Sequence, residues 1–249
     1  RFPTYASGTR SVYAFWNKAG QSQPLPGAAF GRNAVWVDFE DVRHGHSLVD
    51  SAGNNANLTT VGSATFGGAG FNGGKVFDGD RTEGFTATGG SNSGSVAFNG
   101  WINFNSFVSG APDSNQRATG YYSATENNGV INSITQAKKV ATYTFSGSDA
   151  ATASSATTLT ASTWFHLVDV VDAPAQKILH YVNGSLDRES AFTPVITVTN
   201  PLIAYGITAL NDSDNGVDAK QQWLSVQYSV PTADQISIKY QNEDNPSTF

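Results

Sequence analysis

The 249-residue sequence contains neither cysteine nor methionine. The lack of cysteine excludes disulfides, thiolate catalysis and zinc sites built from cysteine. Because translation starts at methionine, a chain that begins at Arg1 and has none is expected to be a fragment or a processed product. No hydrophobic run approaches the roughly 18 residues that a membrane-spanning helix needs.

Charge is also scarce, at 14% of the residues, and it is mainly negative. Fourteen Lys and Arg against 20 Asp and Glu give a net charge of -6, which disfavours binding to nucleic-acid phosphates. Gly, Ser, Thr, Asn and Ala take the place of charged residues, which indicates an extracellular, cell-surface or virion protein. The 15 Phe, 9 Tyr and 5 Trp are enough for a full core.

Short alternating segments between clusters of turn residues indicate an all-β sandwich of two antiparallel sheets. The predicted strands are residues 11–16, 34–39, 75–77, 95–104, 139–145, 164–171, 177–182, 201–207 and 222–229. In the strand 164–171 both faces are largely apolar, which predicts a central strand covered on both sides.

Turn signals separate these segments, and helix signals are rare. Asn183-Gly184 is a strong hairpin signal after the strand 177–182. Further turns are predicted at Asp78-Gly79 and Asn99-Gly100. One short helix is predicted over residues 232–240, with Thr232 as its N-cap.

Two regions are predicted to be long loops, residues 109–132 and 146–162, and long loops on a rigid sandwich commonly carry binding. Residues 1–32 are expected to be an N-terminal arm or the remnant of a preceding β-module. Residues 33–249 are expected to form one domain.

Five motifs occur in the order of one known family. They are "AVWVDFEDV", "LVDSAGNNANLT", "GGKVFDGD", "STWFHLVDVVDAPAQKILHYVNGSL" and "ADQISIKYQNEDNPSTF". Together they resemble LamG-like, concanavalin-type jelly-roll modules, and with the segment that precedes them the resemblance covers residues 11–107 and 160–249. The preceding "SVYAFWNKAG" resembles the final strand of an uncharacterised bacterial β-domain. The segment 221–224 departs from the family, which usually has an acidic pair there.

The resemblance implies a jelly-roll sandwich that frequently binds carbohydrate and often holds a structural calcium ion. Such modules occur on bacterial surface proteins, on secreted glycosidases as accessory domains, and on phage fibres. Because one fold hosts many functions, the function has to be inferred from the individual residues.

The residues disfavour catalysis. Concanavalin-type hydrolases place two carboxyls on one strand face as Glu-x-Asp-x-x-Glu, and no Glu here has Asp two residues later. Neighbouring carboxylates such as Glu243 and Asp244 would point to opposite faces of a strand. Four histidines could hold a metal, but packed or solvated roles suit them better: His44, His46, His166 and His180. His166 and His180 could face each other across a hairpin. We therefore predict a protein that is not an enzyme.

Two sets of residues could bind ligands. Sugars bind to aromatic rings and to polar groups that bond their hydroxyls. The predicted sugar-binding set lies in the loop 109–132 and comprises Asp113, Asn115, Arg117, Tyr121, Tyr122 and Asn127. Calcium requires clustered oxygen ligands, and the predicted set is Asp78, Asp80, Asp212 and Asp214. An ordinary Asx-rich turn remains the alternative for this set.

Strand tryptophans are usually core residues. Trp36 and Trp164 are assigned to the core, whereas Trp101 and Trp223 could bind sugar only if they face outward.

The leading hypothesis is a lectin-like recognition or adhesion module of a bacterial surface protein or phage virion, with a cell-surface glycan or polysaccharide as its partner. The alternative is a structural module that binds neighbouring virion or surface-protein chains, or copies of itself. A polysaccharide-cleaving enzyme is the third class.

Overall fold

The structure is a computed structural model, and its described part contains fifteen β-strands and one α-helix. It describes residues 39–45, 47–52, 55, 57–92, 94–107, 116–123, 128–146, 149–192, 197–206 and 216–244. The strands are β1 (Phe39–Arg43), β2 (Thr59–Val61), β3 (Thr65–Ala69), β4 (Lys75–Gly79), β5 (Gly84–Thr88), β6 (Val96–Phe104), β7 (Gln116–Ser123), β8 (Asn128–Ile134), β9 (Val140–Ser146), β10 (Asp149–Ser154), β11 (Trp164–Asp172), β12 (Lys177–Val182), β13 (Ser185–Ala191), β14 (Pro201–Tyr205) and β15 (Ala219–Gln227). The helix is α1 (Ala233–Asp244), and a short 3-10 helix spans Phe71–Gly73.

The strands form two antiparallel sheets. The first sheet has the order β13-β12-β11-β6-β15-β4-β3, and β1 also pairs with β15. The second sheet has the order β10-β9-β8-β7-β14-β5-β2. The predicted all-β sandwich of two antiparallel sheets with one C-terminal helix is confirmed.

The core lies between the sheets in two apolar clusters. One is centred on Phe77, Phe85, Phe98, Tyr121 and Ile203. The other is centred on Ile102, Phe104, Ile134, Leu159 and Phe165. Because successive strand residues point to opposite faces, each strand of the first sheet also has an outer face, directed away from the second sheet.

The central strand β11 is covered on both sides, as its sequence predicts. It lies between β12 and β6, and Phe165 and Val171 point into the inter-sheet core. On its other face Val168 and Val170 pack in a cluster with Ile236 of α1. The helix is therefore a third layer on the outer face of the first sheet.

The hairpin and the helix begin where the sequence predicts. Asn183 and Gly184 have φ angles of 49° and 76°, the left-handed values that a two-residue hairpin turn between β12 and β13 requires. At the start of α1 the Thr232 hydroxyl accepts a hydrogen bond from the Gln235 amide (3.2 Å), and the Gln235 side chain accepts one from the Thr232 amide (2.8 Å). This reciprocal arrangement is a capping box.

Several local predictions are wrong. The two other predicted turns lie inside strands, at Asp78-Gly79 in β4 and Asn99-Gly100 in β6. The loop predicted over 109–132 contains β7 and the start of β8, and the loop predicted over 146–162 contains β10. Each of these segments contains turn-forming residues, which locally disfavour strands. Neighbouring strands supply backbone hydrogen bonds that override this local preference. The predicted strand 11–16, most of 34–39 and the proposed arm 1–32 lie outside the described residues.

In the described ranges, α1 is the longest helix, and its twelve residues are too few and too polar for a membrane span.

The segment after β1 is organised by one buried carboxylate, that of Asp50, which is 2% exposed. Its Oδ1 accepts hydrogen bonds from the amides of Val42 and Ala52, each at 2.9 Å, and its Oδ2 accepts one from the Asn55 amide at 3.0 Å. This carboxylate belongs to the Asp-Ser-x-Gly-Asn turn of the sequence motif, and its role here is structural.

We expect Asp50→Ala to lower the free energy of unfolding by about 2–3 kcal/mol, because buried amides would lose a charged acceptor. Asp50→Asn should recover part of this loss, since its amide keeps one acceptor oxygen. Urea denaturation of both variants measures the effect. Equal losses for the two variants would contradict a role based on hydrogen bonding.

Candidate functional site

The outer face of the second sheet is the described surface whose residues best suit ligand binding. Cross-strand partners share a face, so the pairing register assigns its members from strand to strand. The row nearest one end is Ser154, Ala141, Ser133 and Arg117. The middle row is Thr152, Tyr143, Ile131, Gly120, Ala204, Thr86 and Thr59. The third row includes Phe145, Gly129, Tyr122, Leu202 and Thr88. We call these three rows the second-sheet face.

The second-sheet face has both buried and half-buried members. Ser133, Ala141 and Ala204 are at most 1% exposed. Tyr143 and Phe145 on one flank and Arg117 at the end are half-buried. The half-buried groups include two aromatic rings and a guanidinium, and threonine hydroxyls lie at both edges of the sheet. Rings with nearby hydrogen-bonding groups are the chemistry that proteins use for sugars.

Tyr122 lies across the middle of this face. A side chain at Gly120 would come within 2.6 Å of the Tyr122 ring, so the ring occupies the space above the glycine. Tyr122 packs with Ile131 and Ala204 and is 0% exposed. Its ring therefore shapes the face rather than presenting a free surface.

The structure places the predicted sugar-binding residues in different surroundings. Tyr121 points into the core, where its hydroxyl donates to the Gly90 carbonyl at 2.7 Å and lies 3.0 Å from the Tyr228 hydroxyl. Tyr122 points to the opposite side, because the two are consecutive in β7. The prediction that both rings lie on a loop is wrong, since both are 0% exposed on a strand.

Three members of that predicted set, Asp113, Asn115 and Asn127, lie outside the described residues. Asn115 directly precedes the first residue of β7, whereas Asn127 directly precedes β8, whose first residues pair with the end of β7. An eight-residue strand spans about 25 Å. The sequence neighbours of the two asparagines are therefore at opposite ends of the sheet.

The predicted calcium residues that are described have roles within the protein. Asp78 is paired across the sheet with Lys220, and burial raises the pKa of its carboxyl while Lys220 opposes this shift. Asp80 Oδ1 accepts hydrogen bonds from the amide and the hydroxyl of Thr82, at 2.9 and 3.0 Å, which is an Asx turn. Asp212 and Asp214 lie outside the described residues. Within the described ranges no group of three acidic or histidine side chains could hold a metal ion, and calcium binding stays a prediction.

The outer face of the first sheet carries a second cluster, which lies beneath α1. Trp101 Nε1 donates to Glu243 Oε2 at 2.8 Å, and Glu243 Oε1 accepts from Lys239 Nζ at 2.6 Å. His166 Nε2 lies 3.1 Å from Asn99 Oδ1 and 3.8 Å from Glu243 Oε2. We call these five side chains the helix cluster.

His166 is the most perturbed group in the helix cluster. It is 0% exposed, and burial together with the nearby Lys239 ammonium lowers its pKa from 6.5 to about 3. The imidazole is therefore neutral at pH 7. In that form its Nε2–H donates to the Asn99 amide oxygen, and Nδ1 has no hydrogen-bond partner in the described part of the chain.

The histidines do not meet as expected. His166 points to the outer face, while His180 points into the sandwich, where its Nδ1 lies 2.7 Å from Asp169 Oδ1. The expectation that the two could face each other is wrong, because they project from opposite sides of the first sheet.

The tryptophans are distributed differently from the sequence assignment. Trp101 points outward but is only 2% exposed, because α1 lies over it and Tyr240 stacks on it at 5.7 Å. Trp164, assigned to the core, is half-buried and tilts toward Phe71 at 6.0 Å. Trp223 is half-buried at a β-bulge with φ of 51°. Trp36 lies outside the described residues.

Sequence reasoning missed Tyr143 and Phe145 as surface residues, although a signal for them exists. Both lie in the predicted strand 139–145, and they alternate with Thr142 and Thr144, which are 0% exposed. A period of two over this segment places the rings on one face and the threonines on the other. Only knowledge of the sheet order shows that the rings face away from the core.

No protein-family model and no curated protein sequence matches the chain. Solved structures do match it. Domain 4 of AbnA, a GH43 extracellular arabinanase from Geobacillus stearothermophilus in complex with arabinotriose, has a TM-score of 0.65 at 16% identity, covering 82% of this chain and all of that one. A botulinum neurotoxin type C structure, from work on cell entry dependent on two ganglioside molecules, has a TM-score of 0.63 at 15% identity and covers 84% of this chain. The binding domain of botulinum neurotoxin DC in complex with SialylT has a TM-score of 0.62 at 14% identity.

The chain spans about half the length of the neurotoxin structures, at 52% and 51%. At these identities the likeness establishes the fold. The chain thus shares its sandwich architecture with domains that have been solved with arabinotriose and with SialylT.

Proposed function

We propose that this protein is a non-catalytic carbohydrate-binding module, and that the second-sheet face holds the sugar. The observation that carries the proposal is the grouping of two half-buried rings, Tyr143 and Phe145, with Arg117 and flanking threonines on one sheet face. The shared fold supports it, since structures with this architecture include complexes with arabinotriose and SialylT. Recognition or adhesion outside the cell, as a lectin-like module, is the role that we infer.

The rings would contact the apolar face of a sugar ring. Tyr143 lies on β9, and β8 separates it from β7, which carries Arg117. Neighbouring strands are about 4.8 Å apart, so β9 and β7 are about 10 Å apart, and the rows of Tyr143 and Arg117 are offset by about 7 Å along the strands. That distance suits one or two sugar units stacked at the ring, with hydroxyl or carboxylate oxygens at Arg117.

We expect Tyr143→Ala to weaken binding of the best ligand from a glycan array by about tenfold or more, because a ring contact is worth roughly 1 kcal/mol beyond its buried area. Arg117→Ala should have a comparable effect through lost charged hydrogen bonds. Calorimetric titration of the purified variants measures both.

The matched control is Phe66→Ala, which removes an aromatic ring that is 44% exposed on β3 of the first sheet. Its affinity should equal that of the unaltered protein. Thermal unfolding of all variants separates lost binding from lost structure. The absence of any glycan ligand on a broad array, or equal losses for Phe66→Ala and Tyr143→Ala, would contradict the proposal.

A further inference from the structure

We propose that α1 is a strap that opens in the native state, independently of the sandwich, and uncovers an aromatic surface of the first sheet. This opening does not depend on the proposed sugar-binding site, which lies on the other sheet.

The helix has a small apolar anchor. Ile236 is the one buried residue among the twelve residues of α1. A helix that packs stably on a sheet usually presents an apolar stripe of three or four residues for every two turns. Ile238, which could extend such a stripe, is 54% exposed. Burial of apolar area therefore holds α1 only weakly.

The half-buried Tyr240 ring adds a contact, because it stacks on Trp101 with ring centroids 5.7 Å apart. Polar contacts at the last turn provide the remaining attachment. Trp101 Nε1 donates to the Glu243 carboxylate at 2.8 Å, and Asn72 Nδ2 donates to the carbonyls of Glu243 and Asp244 at 2.8 and 2.6 Å. The Asn72 contacts are exposed to solvent. The two Asn72 hydrogen bonds therefore contribute little net free energy, because water replaces them when they break.

The surface beneath the helix is rich in aromatic rings. Trp101 is stacked on Phe71 with ring centroids 4.3 Å apart, and Trp164 lies 6.0 Å from Phe71. His166 lies beside Trp101, with ring centroids 5.4 Å apart. When the strap opens, Trp101 and His166 become accessible next to two rings that are already half-buried.

The main core of the sandwich does not include residues of α1. The two inter-sheet clusters lie on the opposite side of the first sheet, and neither includes a residue of α1. Weakly attached peripheral elements open at a lower free energy than the whole domain. Opening of α1 should therefore precede global unfolding.

The absence of cysteine allows a direct test by thiol labelling. Ala97 is 1% exposed and packs with Ile236, so Ala97→Cys places a thiol under the strap. Ala87 is 6% exposed in the inter-sheet core, so Ala87→Cys is the matched control. The reaction of each full-length variant with 5,5′-dithiobis(2-nitrobenzoic acid) is followed without denaturant.

We expect Ala97→Cys to react at least about tenfold faster than Ala87→Cys, because the first requires only local opening. Adding Ile236→Ser should speed labelling at position 97 further and leave the rate at position 87 unchanged. Equal rates at both positions would overturn the proposal, since α1 would then open only when the whole domain unfolds.

Hydrogen exchange of the unaltered protein keeps the proposal testable if a cysteine variant does not fold. The amides of α1 should exchange faster than those of β6 and β11 at every pH and temperature at which the domain is folded. Equal protection of the helix and these strands would overturn the proposal.

Discussion

Lowering the pH from 7 to 4 should destabilise this protein steeply, and replacement of His166 should remove much of that dependence. The folded-state pKa of His166 is about 3, whereas an unfolded histidine has a pKa near 6.5. Below pH 6.5 the unfolded chain binds a proton that the folded protein refuses, so the free energy of unfolding falls as the pH falls. At about 1.4 kcal/mol for each pH unit, the loss reaches roughly 3–4 kcal/mol by pH 4. The loss stops growing at a smaller value if α1 opens at a lower free energy than this, because the open strap lets His166 bind its proton without global unfolding.

The measurement is urea denaturation of the unaltered protein and of His166→Gln at pH 7, 6, 5 and 4. Glutamine can donate to Asn99 but does not titrate, so the variant should be less stable at pH 7 and depend less on pH. Its stability relative to the unaltered protein should therefore improve steadily as the pH falls.

His44→Gln is the control for a histidine that lies away from the helix cluster. His44 is half-buried in the segment after β1, and its replacement should leave the steep acid dependence in place. Parallel stability curves for the unaltered protein and His166→Gln would show that His166 is not the group responsible.

The fold could be predicted because its largest elements carry a clear periodicity. The two apolar faces of β11 predict a strand covered on both sides, and the structure covers it with the second sheet and with α1. Asn183 and Gly184 adopt the left-handed backbone that their turn requires. In these places local preference and tertiary packing agree, so a single sequence is sufficient.

The candidate site could be predicted only in part, since it depends on which strands become neighbours. The composition of residues 116–123 resembles a loop, yet Tyr121 and Tyr122 are held on opposite faces of β7 by partners far away in the chain. Glu243 and Asp244 look like solvated carboxylates in the sequence. The structure places Glu243 on Trp101, 142 positions earlier in the chain. No local pattern encodes a contact of that separation.

The pKa of His166 in the helix cluster also depends on contacts between segments that are distant in the chain. The sequence shows His166 in an apolar strand, which predicts a buried histidine. Burial is the largest cause of the lowered pKa of His166, and Lys239, which α1 brings over the sheet, lowers it further. The acid dependence is therefore a property of the assembled layers.

The second large effect on stability is expected at a buried contact inside the sandwich, between the side chains of Asp169 and His180. Asp169 and His180 are 6% and 1% exposed, and their side chains meet at 2.7 Å. Their neighbours along β11 and β12, such as Leu167, Val171 and Ile178, belong to or pack against the two apolar clusters. The pair therefore lies on the core side of the sheet, where water cannot replace a lost partner.

We expect Asp169→Leu to lower the free energy of unfolding by about 3–5 kcal/mol, because it leaves a buried imidazole without its partner. His180 Nε2 has no hydrogen-bond partner among the described residues, so the variant would leave both ring nitrogens unpaired. Asp169→Asn keeps an acceptor oxygen at the same place and should cost much less.

The double variant Asp169→Leu/His180→Leu is compared with the single variants Asp169→Leu and His180→Leu. The comparison measures how strongly the two side chains stabilise each other. Replacing both partners with apolar side chains removes the unpaired nitrogens. The double variant should therefore lose less free energy of unfolding than the sum of the two single variants, by about 1 kcal/mol or more, which is usual for residues in contact. Urea denaturation of the four proteins at pH 7 completes the cycle. If the single losses simply add, the two side chains do not stabilise each other, and the sandwich tolerates Asp169 and His180 as independent buried groups.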